Sequence, residues 1–224
     1  FTAGDNGKSL LSSVQETGYD ESANTTSLPP TTFNFQASDN SWLLNSNWQI
    51  PADVIFRSWG GDTDNGVRFV DLNGDGLSDI IKANIDAGER KAYINTGSGW
   101  VEDSNWIVPL DVSRGAGIDT GVRLADINGD GLTDIVKSTN AIQDGEKFYI
   151  NNGNGWTLNT SWHMPESIYF AGYYAGDDTG VRLFDINNDG LPDLVYLNEN
   201  HPSPIQKIFI NNGSSWTYDS SWSI

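Results

Sequence analysis

A nine-residue acidic loop that occurs three times constrains this chain more than any other feature. The copies span residues 71–79, 126–134 and 185–193, each with oxygen-bearing side chains at loop positions 1, 3, 5 and 9 and a glycine at position 6. Ca²⁺ is bound by six to eight hard oxygen ligands, several of them anionic. The loops therefore predict three Ca²⁺ sites. In the middle copy the converging oxygens belong to Asp126, Asn128, Asp130, Asp134 and the carbonyl of Leu132.

These loops have two other interpretations. Asp, Asn and Gly also form ordinary turns, so acidic hairpin turns without an ion remain an alternative. An EF-hand loop would carry a glutamate at position 12 between two helices. Here position 12 is Lys82, Lys137 or Tyr196. The flanks, such as residues 67–70, are rich in β-branched and aromatic residues typical of strands, so the ion is expected in a β-hairpin turn.

The tryptophans reveal an internal repeat. Eight of the nine form pairs six residues apart, and the first members of successive pairs are separated by 58, 56 and 60 residues. The pairs are Trp42 and Trp48, Trp100 and Trp106, Trp156 and Trp162, and Trp216 and Trp222. Four short strands in a unit of this length are typical of a β-propeller blade. The sequence thus predicts an all-β fold, a propeller or propeller arc of about four four-stranded blades.

The predicted blades divide the chain into four segments. These are residues 1–55, 56–113, 114–168 and 169–224, of which the first is degenerate because it has no acidic loop. Within the first segment, residues 9–15 are predicted as a strand and residues 24–30, which end in two prolines, as a loop.

Charge and composition exclude some classes of function. The formal net charge is −18 and there is no basic stripe, so nucleic acid is not an expected partner. No apolar run is long enough to span a bilayer. There is no cysteine, and the two histidines lie in non-equivalent places, so nucleophilic catalysis lacks its usual groups. The chain begins at Phe1 rather than methionine, so a piece of a longer protein is expected.

The spacing of the acidic loops between strands resembles the FG-GAP or VCBS repeat, which builds the propeller of integrin α heads, some fungal lectins and many bacterial surface proteins. The resemblance covers roughly residues 33–224 and implies calcium ligands at the matching positions of every loop. In the first loop these are Asp71, Asn73, Asp75, Leu77 and Asp79, and in the third they are Asp185, Asn187, Asp189, Leu191 and Asp193. The third loop departs from the pattern with Asn188 in place of glycine and Pro192 at position 8, so it is expected to be the weakest site.

A shorter resemblance concerns the segment before the repeats. Residues 27–35, with residues 10–14 upstream, are similar to bacterial Rhs-type proteins and to the B component of Tc toxins. In those proteins the repeats form part of a large secreted shell or a docking propeller.

Arginines and tryptophans recur in each complete unit, and each has two interpretations. Arg68, Arg123 and Arg182 either face a channel and bind an anion, or form ion pairs with Asp64, Asp119 and Asp178. Fork-shaped pairing of arginine with carboxylate favours the ion pairs. The paired tryptophans either form sugar platforms or pack between blades, and their presence in every unit favours packing.

The loops that differ between units are the candidate binding face, because repeat proteins often bind through their variable loops. Their aromatic residues are candidate ligand contacts, and covering of blade edges is the equal alternative. The candidates are Trp59, Tyr169, Phe170, Tyr173 and Tyr174.

The sequence therefore predicts a non-enzymatic, secreted or cell-surface module that binds another protein or joins a toxin-type assembly. A carbohydrate-binding lectin is the alternative, and a hydrolase is a third hypothesis. Calcium is expected to be structural, since it neutralises clustered aspartates and adds to folding stability when bound. If the propeller does not close on itself, its exposed edges favour a homodimer.

Overall fold

The computed structural model describes residues 2–3, 9–19, 25–33, 48–57, 64–84, 88–114, 118–140, 145–165, 168–172, 177–199 and 205–222. Residues 1–46 and residues 47–224 form two compact units. Across the described residues, no helix is both long enough and apolar enough to cross a membrane.

The first unit contains three short antiparallel pairs of strands in its described part. They are β1 (Thr2–Ala3) with β2 (Ser9–Leu10), β3 (Ser13–Val14) with β6 (Thr31–Thr32), and β4 (Thr17–Tyr19) with β5 (Thr25–Ser27). Residues 9–15 are therefore not one strand, and the predicted loop at 24–30 contains β5. Both predictions were wrong, because ladders of two or three residues formed by serine and threonine carry no apolar alternation that a sequence pattern can register.

The second unit begins with a four-stranded antiparallel sheet, the second blade. Its strands are β7 (Val67–Val70), β8 (Asp79–Asn84), β9 (Glu89–Asn95) and β10 (Trp100–Glu102), paired in that order. A 3₁₀ turn over Ser104–Trp106 follows. The hairpin of β11 (Ser113–Arg114) and β12 (Ile118–Asp119) then attaches to the end of β8 through Ser113 and Asn84.

The third and fourth blades repeat this sheet. The third contains β13 (Val122–Ala125), β14 (Asp134–Ser138), β15 (Glu146–Asn151) and β16 (Trp156–Asn159). The fourth contains β17 (Val181–Phe184), β18 (Asp193–Asn198), β19 (Ile205–Asn211) and β20 (Trp216–Tyr218). The predicted all-β fold of propeller blades is confirmed.

Apolar side chains between neighbouring blades form the core, because alternate residues of each strand face opposite sides of the sheet. Between the second and third blades the buried residues include Leu72, Ile81, Ala83, Val122 and Ile135. Between the third and fourth they include Ile127, Val136, Phe148, Val181 and Leu194. The second, third and fourth blades thus bury the faces that meet one another, which explains why their β8 and β14 strands are apolar on both sides.

The tryptophans are part of this packing. The second tryptophan of one sequence repeat packs against the first tryptophan of the next repeat. Their ring centroids are 6.0 Å apart for Trp48–Trp100, 6.0 Å for Trp106–Trp156 and 4.7 Å for Trp162–Trp216. Trp42 lies outside the described residues. The structure therefore supports packing between blades as the reason for the recurring pairs.

Residues 48–57 pack against the second blade. Val54 belongs to a buried cluster with Val67 and Ile80 of that blade. The Nζ of Lys82 donates to the carbonyl of Asp53 at 2.8 Å, and the hydroxyl of Tyr93 donates to the Asp53 carboxylate. The compact unit that holds the second blade accordingly begins at Asn47, before the predicted segment boundary at residue 55.

Candidate functional site

The three acidic loops share one hydrogen-bonding pattern at their tips. In the first loop the position-1 carboxylate, Asp71, accepts the backbone N–H of Gly74 at 2.8 Å and of Gly76 at 2.9 Å. The Asn73 amide donates to Asp75 Oδ2 at 3.0 Å. Asp126 and Asn128 make the same bonds in the second loop, and Asp185 and Asn187 make closely similar ones in the third. The oxygens of positions 1, 3 and 5 therefore gather at an exposed tip in every loop.

The position-9 aspartates lie at the base of the loops and are fully buried. Asp134 accepts the N–H of Ile127 at 3.0 Å and of Asn151 at 2.8 Å. Asp79 and Asp193 accept the equivalent N–H groups of their own blades. These carboxylates close each loop and join it to the third strand of the blade.

Each loop holds several carboxylates close together. The pKa of Asp134 is raised to about 6, chiefly by burial, with smaller contributions from the carboxylates of Asp130 and Asp126. Burial raises the pKa of Asp79 as well, with smaller contributions from Asp75 and Asp71. Acids of one loop thus lie close enough to repel each other, and a cation would relieve that repulsion.

The donor chemistry of the tips fits Ca²⁺, because carboxylate, amide and carbonyl oxygens are its preferred ligands. Among the described residues, no group of three or more His, Cys, Asp or Glu side chains is arranged to hold a metal ion. The loop oxygens accept hydrogen bonds from backbone N–H groups, and acidic turns without an ion would make the same hydrogen bonds. Three calcium sites therefore stay a prediction.

Successive loops are in contact with one another. A Cβ added to Gly74 would lie 2.8 Å from Cδ2 of Leu132, the position-7 leucine of the next loop, and one added to Gly129 would lie 2.7 Å from Leu191. The amide of Asn151 also donates to the carbonyl of Leu72 in the preceding loop, at 2.8 Å. Asn211 does the same to the carbonyl of Ile127 at 2.9 Å.

These asparagines were missed by sequence reasoning, although they recur at the end of the third strand in every complete unit. That recurrence was the available signal. It did not reveal the contact, because the accepting carbonyls lie 79 and 84 residues earlier in the chain.

The glycine at loop position 4 is expected to be needed for contact between loops. We predict that Gly129→Ala lowers the free energy of unfolding by about 2–4 kcal/mol, because it combines a strained φ of 77° with a clash against Leu191. Gly131→Ala is the matched control. It has a similar φ of 86° with no atom within 4 Å of the added Cβ, and its expected cost is about 1–2 kcal/mol. Urea denaturation measures both, and equal losses would contradict the contact.

Asn188 occupies position 4 of the third loop in the same left-handed conformation, with φ of 62°. Asparagine tolerates that conformation better than most residues. The departure from the repeat therefore preserves the backbone path of the loop.

Each recurring arginine forms a two-pronged ion pair with its aspartate. Arg68 donates to Asp64 at 3.0 and 2.6 Å, and Arg123 donates to Asp119 at 3.0 and 2.7 Å. Arg182 and Asp178 pair in the same way at 2.8 and 2.6 Å. The hydrogen bonds from Arg182 hold the pKa of Asp178 at about 2. The ion-pair interpretation is therefore the one that the structure supports.

The aromatic candidates for ligand contact do not form one exposed group. Phe170 is fully buried in the core between the third and fourth blades, with the Arg123 guanidinium 5.0 Å from its ring centroid. Its prediction as a surface contact was wrong, because its backbone N–H donates to the carbonyl of Ser138 at the end of β14 and its ring packs in the buried cluster there. Tyr169 is half-buried. Trp59, Tyr173 and Tyr174 lie outside the described residues.

The repeats are similar in sequence to those of known proteins. Residues 71–136 match the FG-GAP-like repeat family. Integrin alpha-4 of Xenopus laevis is 32% identical in an alignment of 137 residues that covers 56% of this chain and 13% of that protein. The chain thus spans a small part of its relative.

Two solved structures are similar to the chain at low identity. One shows recognition of non-reducing terminal N-acetylglucosamine by an Agrocybe aegerita lectin, with 22% identity, a TM-score of 0.45, and coverage of 67% of this chain and 36% of the lectin. The other is the Tc holotoxin pore of Photorhabdus luminescens, with 19% identity, a TM-score of 0.48, and coverage of 92% and 9%. The family match spans two of the three acidic loops and the blades recur with equivalent pairing, so the chain contains FG-GAP-like repeats that form β-propeller blades.

Proposed function

We propose that this chain is a non-enzymatic, calcium-stabilised propeller module of a secreted or cell-surface protein, acting in protein binding, adhesion or a toxin-type assembly. The observation that carries the proposal is the threefold recurrence of one loop geometry, with two carboxylates and an amide at each exposed tip. The similarity to integrin alpha-4 supports a binding role.

Each loop position has its own role in binding the ion. Positions 1 and 5 supply carboxylates, position 3 an amide oxygen and position 7 a carbonyl. The position-9 aspartate was also predicted as a ligand, but both of its oxygens accept backbone N–H groups, so its part in this proposal is to anchor the base of the loop. When bound, calcium supplies positive charge that offsets the clustered acids. Its role in this proposal is to stabilise the turn between the first and second strands of a blade.

Calorimetric counting of calcium tests the proposal. We expect three ions per chain, and two for Asp130→Ala, because that change removes one carboxylate from the tip of the second loop. Glu102→Gln is the matched control, since it removes one exposed negative charge outside the loops. Absence of calcium binding by the unaltered chain would contradict the proposal, as would loss of an ion in the control.

A non-enzymatic role is supported by how the recurring acids are used. In each of the three complete blades, the loop aspartates accept hydrogen bonds from backbone N–H groups, and the aspartate before the first strand forms an ion pair with arginine. Catalysis would call for a single distinct set of groups. Turnover of chromogenic glycosides or esters by the purified chain, lost on Asp130→Ala, would contradict this part of the proposal.

A further inference from the structure

One face of the fourth blade exposes apolar side chains. Phe184 is 63% exposed and Leu197 is 42% exposed, while Val195 is half-buried. Val195 pairs with Arg182 across the sheet, and alternate residues of a strand share a face, so these four side chains lie on one side of the sheet. We call this side the outer face of the fourth blade.

The second and third blades bury the same positions. Ile81 and Val136 pair with the arginine of their own blade, as Val195 does, and both are fully buried. The recurring ion pair of arginine and aspartate is also more exposed in the fourth blade than in the other two. The exposed positions of the outer face therefore match positions that the other two blades use for contacts.

The chain after the second tryptophan of a unit contributes to those contacts. We call this segment the strap, which spans residues 106–112 at the second blade and, in its described part, residues 162–165 and 168–171 at the third. Four apolar side chains of the first strap, at alternate positions, are buried in the same cluster as Ile81. They are Trp106, Val108, Leu110 and Val112. In the second strap the side chains buried in the same cluster as Val136 are Trp162, Ile168 and Phe170.

Backbone hydrogen bonds fix the end of each strap to the second strand of its blade. The N–H of Val112 donates to the carbonyl of Ala83 at 3.0 Å, and the N–H of Phe170 donates to the carbonyl of Ser138 at 3.1 Å. From there each strap runs parallel to that strand. Leu197 holds the same register position in the fourth blade, so its carbonyl stands where the other two blades receive a strap.

The fourth blade also directs the chain towards its outer face as the second blade does. The N–H of Asp219 donates to the carbonyl of Ile208 at 2.9 Å, and Asp103 makes the equivalent bond in the second blade. Trp222 then holds the place of Trp106, but Trp222 is exposed where Trp106 is buried. The start of a strap is thus present beside the outer face.

The third acidic loop indicates which kind of neighbour this face accepts. Where successive loops meet, the position-7 leucine of the later loop lies 2.7–2.8 Å from the point at which a Cβ on the position-4 glycine of the earlier loop would stand. The third loop carries the exposed Asn188 at position 4. A leucine of a further acidic loop would meet this Cβ and the polar amide beyond it. A strap avoids that conflict, because its hydrogen bonds lie at the end of the second strand away from the loop.

We propose that the outer face of the fourth blade binds an extended polypeptide segment with apolar residues at alternate positions, in the manner of the straps. The apolar side chains of the segment pack on Phe184, Val195 and Leu197, and one of its backbone N–H groups donates to the carbonyl of Leu197. This surface gives the protein-binding part of the proposed function a location. It does not depend on calcium, so its failure would leave the expected calcium count unchanged.

A chain that is extended by its own strap sequence tests the proposal. Residues 223–224 are replaced by the sequence of residues 107–114, so that the strap follows Trp222 as it follows Trp106, and a scrambled order of the same residues is the control. Hydroxyl-radical footprinting with mass spectrometry measures the oxidation of Phe184 and Leu197. Because tethering holds the segment beside the face at a high effective concentration, we expect oxidation of both to slow by about fivefold with the native order. Equal oxidation with the native and scrambled orders would overturn the proposal.

Leu197→Asp in the extended chain is the decisive variant. It should restore the oxidation of Phe184, because it puts a carboxylate beneath the apolar segment, and it should leave the circular dichroism unchanged, because Leu197 is already exposed. Leu158→Asp is the matched control, since it changes an exposed leucine of the third blade and should leave the protection intact.

Three results would overturn the surface. One is protection of Phe184 that persists in Leu197→Asp. Another is protection of Phe184 already in the unextended chain, which would mean that the face is covered without a strap. The third is a dimer of the unextended chain in light scattering that Leu197→Asp abolishes, which would make a second copy the occupant.

Discussion

Removal of calcium is expected to lower the free energy of unfolding by about 8 kcal/mol, when the comparison is made at a calcium concentration one hundred times the dissociation constant of each loop. Ligand binding to the native state contributes about 2.7 kcal/mol per site under that condition, and the three loops contribute in parallel. Urea denaturation with calcium and with a chelator in excess measures the difference. The physical cause is the cluster of acids in each loop, whose like charges repel one another when no cation offsets them.

The Asp130→Ala variant tests whether the calcium effect on unfolding free energy is divided among the three loops. Because it weakens one loop of three, about two thirds of the calcium effect should remain. Superimposable denaturation curves with and without calcium would contradict a structural ion. They would favour the alternative, in which the Asx hydrogen bonds at each tip hold the turn without metal.

Replacement of Trp162 by alanine is the second change with a large expected effect, about 3–5 kcal/mol of unfolding free energy. Trp162 is only 5% exposed. Its ring lies 6.2 Å from that of Phe148 and 4.7 Å from that of Trp216, so it joins the third blade to the fourth. Truncation would open a cavity lined by both blades. Chemical denaturation followed by tryptophan fluorescence and by far-ultraviolet circular dichroism measures the loss.

Trp222→Ala provides the matched control, because Trp222 holds the equivalent place in the fourth blade and is 41% exposed. Its expected cost is below about 1 kcal/mol, since exposed side chains contribute little when removed. A cost for Trp162→Ala no greater than that of Trp222→Ala would contradict the packing role. A loss of sugar binding at unchanged stability would instead support a sugar platform.

Patterns with a short spacing could be interpreted correctly from the sequence. The β-branched and aromatic residues beside each acidic loop predicted the first two strands of every complete blade, because strand preference is a property of neighbouring residues. The arginine four residues after an aspartate likewise predicted the ion pairs, since two residues on one short stretch can reach each other in any blade. The first unit was poorly predicted, because its two- and three-residue ladders leave no periodic signal.

What the sequence by itself determined is the repeated blade, its acidic turn and its paired arginine, all of which depend on neighbours within a few residues. Tertiary structure alone decided what happens between blades. It placed Leu132 against Gly74 and Asn151 against the carbonyl of Leu72, and it made Phe170 a core residue. The physical reason is that these contacts join residues of different sheets, whose meeting is set by close packing of the interface and not by spacing along the chain.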